Sequence, residues 1–493
     1  MSGAGLGGGI DRITFETWTL VVLTLLGAAL RFSTITDQSY WFDEAQAAHE
    51  VHLSFGALMS TLGSQETSPP LYFALAWLWA KVFGVGEAGL RSFSALAGTA
   101  LIPITYACGR ELVSRRAGLV AAALAAVNPF LIWYSQEARE YMLLGALCGA
   151  SFLFFARARR HPSAANLLCW AAFSALALLT HFFAGFLIAP EAIWLLVSAR
   201  SRGAGWAVAA VAVVEAALIP LAISDTSHPI GWLTSFPLSI RIQQVPVAFG
   251  FGTLFQSPWV THGLLGAAVL AAIVAGLLIA AGSAKERRGA AVGATLAAAV
   301  LLIPLLTAIL GHDYYIVRAL IPAWIPLAVV IGAACTVPRA RPAGAALAVV
   351  LLVAFVYAGL RIDRNWQYQR PDWQGVAAAL GDTPGTRAIV AYDGSLATDP
   401  LAYYLHGVPW RQSSAMAASV SEVDVVGSVW QAPSRPLPAG VRFLGGKSVG
   451  GYAVERFLVT PAWHLTPAAI GARAGTLLAP VPPDPAVLIQ RPL

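Results

Sequence analysis

The sequence predicts an α-helical protein that crosses a membrane about 11–13 times and carries a small C-terminal α/β domain outside the cytoplasm. Three observations lead there. The chain of 493 residues is 57% hydrophobic and only 11% charged, where soluble domains run at roughly a quarter charged residues. Its apolar residues gather in stretches that approach the roughly 20 residues needed to cross the hydrocarbon core. From Asn365 the long apolar runs give way to short alternating ones.

The apolar segments lie near 16–33, 70–83, 91–108, 117–133, 141–158, 164–180, 183–199, 204–222, 261–281, 290–311, 314–334 and 343–361. Between them sit five basic clusters, at Arg110/Arg115/Arg116, Arg157/Arg159/Arg160, Arg200/Arg202, Lys285/Arg287/Arg288 and Arg339/Arg341. Short basic loops stay cytoplasmic, so alternating spans place the loops 34–69 and 223–260 and the domain after residue 364 outside, with the N-terminus inside. The first loop agrees, since Asp37, Asp43, Glu44, Glu50 and Glu66 stand there without Lys or Arg. For all five clusters to be cytoplasmic, one of the early segments must not cross. Segment 70–83 begins at a Pro-Pro pair and is expected to dip into the interface, leaving about eleven spans. No small-residue cleavage site follows residues 18–30, so the first apolar segment reads as an uncleaved span.

Residues 1–364 thus form the expected membrane domain and 365–493 the outer one. In the latter, Pro371 opens a short helix through Leu380. Arg387–Tyr392, Val423–Trp430, Val441–Leu444 and Tyr452–Val459 read as strands, Leu396–His406 as a helix, and the Pro/Ala-rich tail after Pro461 as extended. The net charge of +6 belongs to membrane topology, which leaves nucleic acid no role as a partner. Cys108, Cys148, Cys169 and Cys335 all lie in apolar segments without metal-like spacing. Abundant Arg, Ala and Gly suggest a GC-rich bacterial genome, hence a multi-pass protein of the bacterial plasma (inner) membrane.

The candidate chemistry collects outside. Tyr40-Trp41-Phe42-Asp43-Glu44 sets two acids beside three aromatics. They can hold a divalent cation such as Mg2+ or Mn2+ through carboxylate oxygens, or one can take a proton from an acceptor hydroxyl. They also suit the N-terminus of a helix through its dipole. Arg91, the group Gln136, Glu137, Arg139 and Tyr141, His181, and His312-Asp313 with Arg318 fall at the outer ends of spans. Charges at membrane depth are paired or functional. Pairing of the arginines with Glu137 and Asp313 is the structural reading; convergence on a lipid-boundary phosphate is the functional one, since guanidinium binds phosphate bidentately. His49 and His52 share a helix face but lack a third ligand for zinc.

These residues together resemble the polyprenyl-phosphate-sugar-dependent glycosyltransferases of the GT-C membrane fold. The nearest branch looks like the bacterial relatives of protein O-mannosyltransferases and of the aminoarabinose transferase acting on lipid A. The resemblance rests on Asp43-Glu44, Pro69-Pro70-Leu71-Tyr72, Arg91-Ser92-Phe93-Ser94-Ala95-Leu96 and Tyr134-Ser135-Gln136-Glu137-Ala138-Arg139. Thr180-His181-Phe182 and Arg318 with Pro322 and Pro326 extend it. Pro371-Asp372-Trp373 and Tyr403-Tyr404-Leu405 look familial too.

The resemblance implies an inverting transfer from a polyprenyl-phosphate-linked sugar to a lipid, glycan or protein acceptor outside. It implies Asp43 as general base or acceptor-orienting acid, with Glu44 as its partner or substitute. Arg91, Arg139 and Arg318 would bind the donor phosphate, and His181 and Glu137 would shape the site. Gln136-Glu137 and the C-terminal domain vary among relatives, so acceptor contacts do not carry over; the outer domain is expected to contribute to acceptor choice. A lipid or sugar transporter or flippase is the main rival. It predicts midspan ionisable groups and an internal repeat. No repeat is visible, while Glu191 and Glu215 are ionisable groups inside spans. A noncatalytic scaffold is the other rival.

Overall fold

The computed structural model describes the chain except for residues 1–6, 64–67, 227–232, 234–235, 254–257, 393–394, 411–415, 428–431, 435, 480–484 and 493. Glu66, part of the loop 223–260 and the end of the strand expected at Val423–Trp430 lie outside the described residues. The chain divides into two compact units. One comprises Met1–Ile35 and Val51–Arg364, the other Thr36–Glu50 and Asn365–Leu493.

The first unit is helical, and it makes this a multi-pass membrane protein. Among the described residues, nine helices are long and apolar enough to cross a membrane, and counting the bent pair Arg115–Val127 and Pro129–Ser135 as one span gives ten. The remaining two apolar segments form the shorter helices Leu71–Phe83 and Ala164–Leu178. At 1.5 Å per residue these reach about 20 and 22 Å, less than the ~30 Å hydrocarbon core. A stop at His181 explains the second. Its Nδ1 accepts the Phe183 amide at 3.1 Å, and the chain restarts as a tight turn over Phe182–Ala184.

The bend in this pair has a local cause. Pro129 lacks an N–H and forces Asn128 out of the helical region, to φ −68° and ψ 122°. Asn128 caps the new helix, accepting the Leu131 amide at 3.0 Å and donating to the Phe249 carbonyl at 2.9 Å. The break leaves carbonyls of the preceding turn without helical partners. Arg31, fully buried at the end of helix Gly7–Phe32, donates to Ala125 O at 3.0 Å and Ala126 O at 3.1 Å. Small residues then let the elements close up: a side chain at Gly98 would collide with Ser135, whose hydroxyl Arg31 Nε reaches at 3.0 Å.

Among the described residues of the second unit there are seven strands: β1 Arg387–Ala391, β2 Ala418–Gly427, β3 Ala432–Pro433, β4 Val441–Val449, β5 Tyr452–Leu465, β6 Leu478–Ala479 and β7 Ala486–Gln490. Five form one sheet in the order β4-β5-β2-β1-β7, with β1 and β2 parallel and the other pairs antiparallel; β3 and β6 form a separate ladder. Helices Trp373–Leu380 and Ser395–Tyr404 pack Val376, Leu380 and Leu401 on one face of the sheet. Helix Pro467–Gly475 packs Ile470 and Ala474 on the other. Both faces being covered, all five β1 residues are buried, and after Arg387 the strand runs apolar from Ala388 to Ala391 rather than alternating.

The tail is not extended throughout, as its composition suggests, but forms a helix and then a strand. Thr466 caps helix Pro467–Gly475 by accepting the Ala469 amide at 3.4 Å, and β7 then pairs with β1. Pro467 sits at the first helical turn, where its missing N–H costs nothing.

Candidate active site

In the membrane unit, helix Glu87–Leu112 and the turn 136–140 hold the centre of the cluster. Arg91, Ser94 and Gly98 recur at helical spacing on one face of that helix. Arg91 Nη1 donates to the Ile35 carbonyl at 2.9 Å, and Ser94 Oγ donates to the Arg139 carbonyl at 3.1 Å. Arg139 is buried and donates from Nε to Glu140 at 3.0 Å, with its guanidinium 5.5 Å from the Phe73 ring centroid. Tyr141 opens the next span. Its ring lies 5.4 Å below the Arg318 guanidinium and 6.1 Å from the His181 ring.

Glu140 was not singled out from the sequence, yet it is the acid at the centre of this set. Burial pushes its carboxyl upward, but Arg139, His181, its own backbone hydrogen bond and Arg318 outweigh that and hold it below its ordinary value. His181 goes the other way. Dense protein around its partly exposed ring lowers its pKa to about 4; Glu140 opposes the shift, and Arg139 and Arg318 reinforce it. The imidazole is therefore neutral at pH 7, as the hydrogen bond accepted by Nδ1 requires. Arg91, on the same helix face as Ser94, and the buried Glu137, in the turn with Arg139, flank this cluster.

Other sequence candidates fall elsewhere. Gln136 donates from Nε2 to Thr34 Oγ1 at 2.7 Å and to the Arg31 carbonyl at 3.2 Å, closing the C-terminus of the first span. Asp313 does not pair with the three arginines named above. It forms a two-pronged ion pair with Arg241, which also donates to the Tyr315 carbonyl at 2.9 Å. The Arg241 hydrogen bond is the main cause holding the Asp313 carboxyl below its ordinary value. His312 is exposed. Glu137 is buried in the same turn as Arg139. Glu191, deep in its span, accepts from Ser151 Oγ at 2.6 Å and Trp170 Nε1 at 2.9 Å, which ties three helices together. Glu215 is exposed on its helix.

Asp43 and Glu44 belong to the second unit, in the first turn of helix Phe42–His52. Asp43 is half-buried. Glu44 is fully buried, with Oε2 at 3.5 Å from Arg370 Nε. Helical neighbours point about 100° apart, so the inward turn of Glu44 swings Asp43 off that axis. Among the described residues no three His, Cys, Asp or Glu side chains gather as a metal site; Asp43 and Glu44 offer at most two carboxylates.

Residues 67–223 match the family model described as dolichyl-phosphate-mannose-protein mannosyltransferase. The fold is that of ArnT from Cupriavidus metallidurans in the apo state: TM-score 0.52 at 13% identity, covering 91% of this chain and 98% of that one. This chain is a membrane glycosyltransferase of the GT-C fold. The same ArnT bound to undecaprenyl phosphate aligns with TM-score 0.49 at 14% identity, over 88% of this chain and 97% of that one. Arabinofuranosyltransferase AftD from Mycobacteria gives 0.49 at 16%, over 90% of this chain and 41% of that one. A comparison with curated proteins gives no match. The family match spans Arg91, Arg139, Glu140, Tyr141 and His181 of the transferase; Arg318 lies beyond it.

Proposed function

We propose that the transferase moves a sugar from a polyprenyl-phosphate donor to an extracytoplasmic acceptor, with inversion at the anomeric carbon. The observation that carries this reading is the Arg139–Glu140–His181–Arg318 cluster, where the cationic side exceeds the anionic one and the histidine is neutral. In a single displacement the acceptor oxygen bonds to the anomeric carbon as the bond to the phosphate oxygen breaks. Negative charge then grows on the departing lipid phosphate, and fixed guanidiniums stabilise that charge more in the transition state than in the ground state. The family description names a dolichyl-phosphate sugar, a donor of the same class.

Asp43 is the base in this reading. It is the more accessible of the two acids, whereas Glu44 is buried against Arg370. The basic loops support a cytoplasmic N-terminus in a bacterial plasma membrane, with the C-terminal unit outside. The test is transfer by purified protein from a panel of radiolabelled polyprenyl-phosphate sugars to membrane extract. One donor is expected to react, and Asp43→Asn to lower the rate by about 10²–10⁴-fold with donor binding intact. Transfer at the parent rate in Asp43→Asn would move the base elsewhere.

A further inference from the structure

Within the second unit, the segment around Asp43 is anchored to residues more than three hundred positions away. Arg370 holds it on both sides of Asp43. Its backbone amide donates to Gln38 Oε1 at 2.8 Å, and its guanidinium pairs with Glu44. Between these points Ser39 Oγ donates to Asp372 Oδ1 at 3.1 Å and accepts the Gln374 amide at 2.9 Å. The Tyr40 amide donates to Tyr404 Oη at 2.7 Å, and the Tyr40 ring meets Tyr403 edge-on at 5.2 Å. Farther along the helix His49 stacks on Trp410, with ring centroids 4.1 Å apart.

The anchor is rigid for chemical reasons. Arg370 and Glu44 side chains are 3% and 0% exposed, and breaking a buried ion pair from one side is costly. Asp372 also caps helix Trp373–Leu380 through the Gly375 amide at 2.9 Å, and Trp373 lies in the core beneath. The docking residues thus grow directly out of the sheet-backed helix rather than from a loose linker.

We propose that Arg370 is a positioning residue for the transfer reaction: through Glu44 and Gln38 it sets the orientation of Asp43, so the C-terminal unit contributes to catalysis as well as to acceptor choice. Glu44 is correspondingly a positioning residue and not a second base. The inference rests on Asp43 acting as base. It gives Asp372 and Tyr403-Tyr404 a role: they meet the segment that carries Asp43, while Trp373 anchors their support in the core.

The experiment compares Arg370→Met, Arg370→Lys and Glu44→Gln with the parent full-length protein. Three readouts are hydrogen exchange of peptides over 36–50, binding of undecaprenyl phosphate, and transfer from the donor panel. Arg370→Met and Glu44→Gln are expected to speed exchange over 36–50 by about tenfold. Transfer should fall about 10–100-fold while undecaprenyl-phosphate binding stays within about twofold, because no residue assigned to the phosphate changes. Arg370→Lys, which keeps the charge, should recover part of the rate. Unchanged exchange in all variants, or transfer at the parent rate despite faster exchange, would overturn the proposal. Equal loss of lipid-phosphate binding and transfer would also overturn it, as the mark of a merely structural pair. Asp43→Asn, with Arg370 intact, reports separately on the base: full activity there removes the premise, whereas an inactive Asp43→Asn beside a fully active Arg370→Met sinks only the positioning role.

Discussion

Two buried arginine–carboxylate pairs, Arg139–Glu140 in the membrane unit and Arg387–Asp424 in the other, have nearly the same hydrogen-bond length and opposite electrostatics. Their contacts measure 3.0 and 3.1 Å. Glu140 is held below its ordinary value because cationic neighbours outweigh burial. Asp424 is pushed up to about 8, first by burial and then by the neighbouring Glu422 carboxylate, against the pull of Arg387 and Arg456. At the first site cationic neighbours outweigh burial; at the second, burial and a neighbouring acid outweigh two arginines. In the proposed function the first set meets an external anion, whereas the second joins two acids and two arginines within the fold.

The difference predicts opposite responses to perturbation. The largest effect is expected from Arg387→Met. Arg387 also donates to the Leu380 carbonyl at 2.8 Å, the Gly381 carbonyl at 2.7 Å and Gln490 Oε1 at 2.6 Å, so its loss strands several buried acceptors. A cost of about 3–5 kcal/mol to the second unit follows, read as early melting and faster hydrogen exchange over β1 and β2. Retained protection would show that this network is less important to the fold than the comparison holds.

Glu140→Gln should have a smaller effect, about 1–3 kcal/mol. It removes the acid but leaves Arg139 a polar partner, so undecaprenyl phosphate should bind at least as tightly while thermal stability in detergent declines. Weaker binding would break the reading of this cluster as an anion site.

The smallest effect is a pair of pH slopes of opposite sign. Glu140 is depressed, so its contribution is present above its ordinary value of ~4.3 and lost as pH falls through its lower native value. His181, lowered to about 4, adds the same trend, because the unfolded chain takes up a proton between ~6.5 and 4 that the folded one refuses. Asp424, raised to about 8, binds its proton more tightly when folded. Stability of the second unit should therefore fall as pH rises from ~3.9 towards 8. Asp424→Asn should flatten that decline, and His181→Gln should flatten the acid-side decline of the membrane unit. Melting followed by hydrogen exchange resolves both, and slopes of equal sign in the two units would refute the contrast.

Much of the site's list was readable residue by residue, less of its pairing. Arg139 and Tyr141 were legible because charged and aromatic residues at span ends are costly to place idly. Glu140 was passed over beside the more prominent Glu137, though its position next to Arg139 was the available signal. Arg31 reads from sequence as an ordinary flanking charge, since nothing local shows that a proline-broken helix ninety-odd residues on will leave carbonyls for it. Asp313 pairs with Arg241, seventy-two residues away, and nothing local to either residue marks the other as its partner.

By itself the sequence determined the membrane class, the apolar segments, the basic loops and the change of pattern at Asn365, because these depend on local composition and on the thickness of a bilayer. Only the tertiary structure decided that the Asp43 segment folds with the C-terminal unit, that Arg370 is Glu44's partner and that the tail supplies β7. Those outcomes depend on which buried charge or hydrogen-bonding group meets which across hundreds of residues, and burial without a partner is too costly for the choice to be made locally.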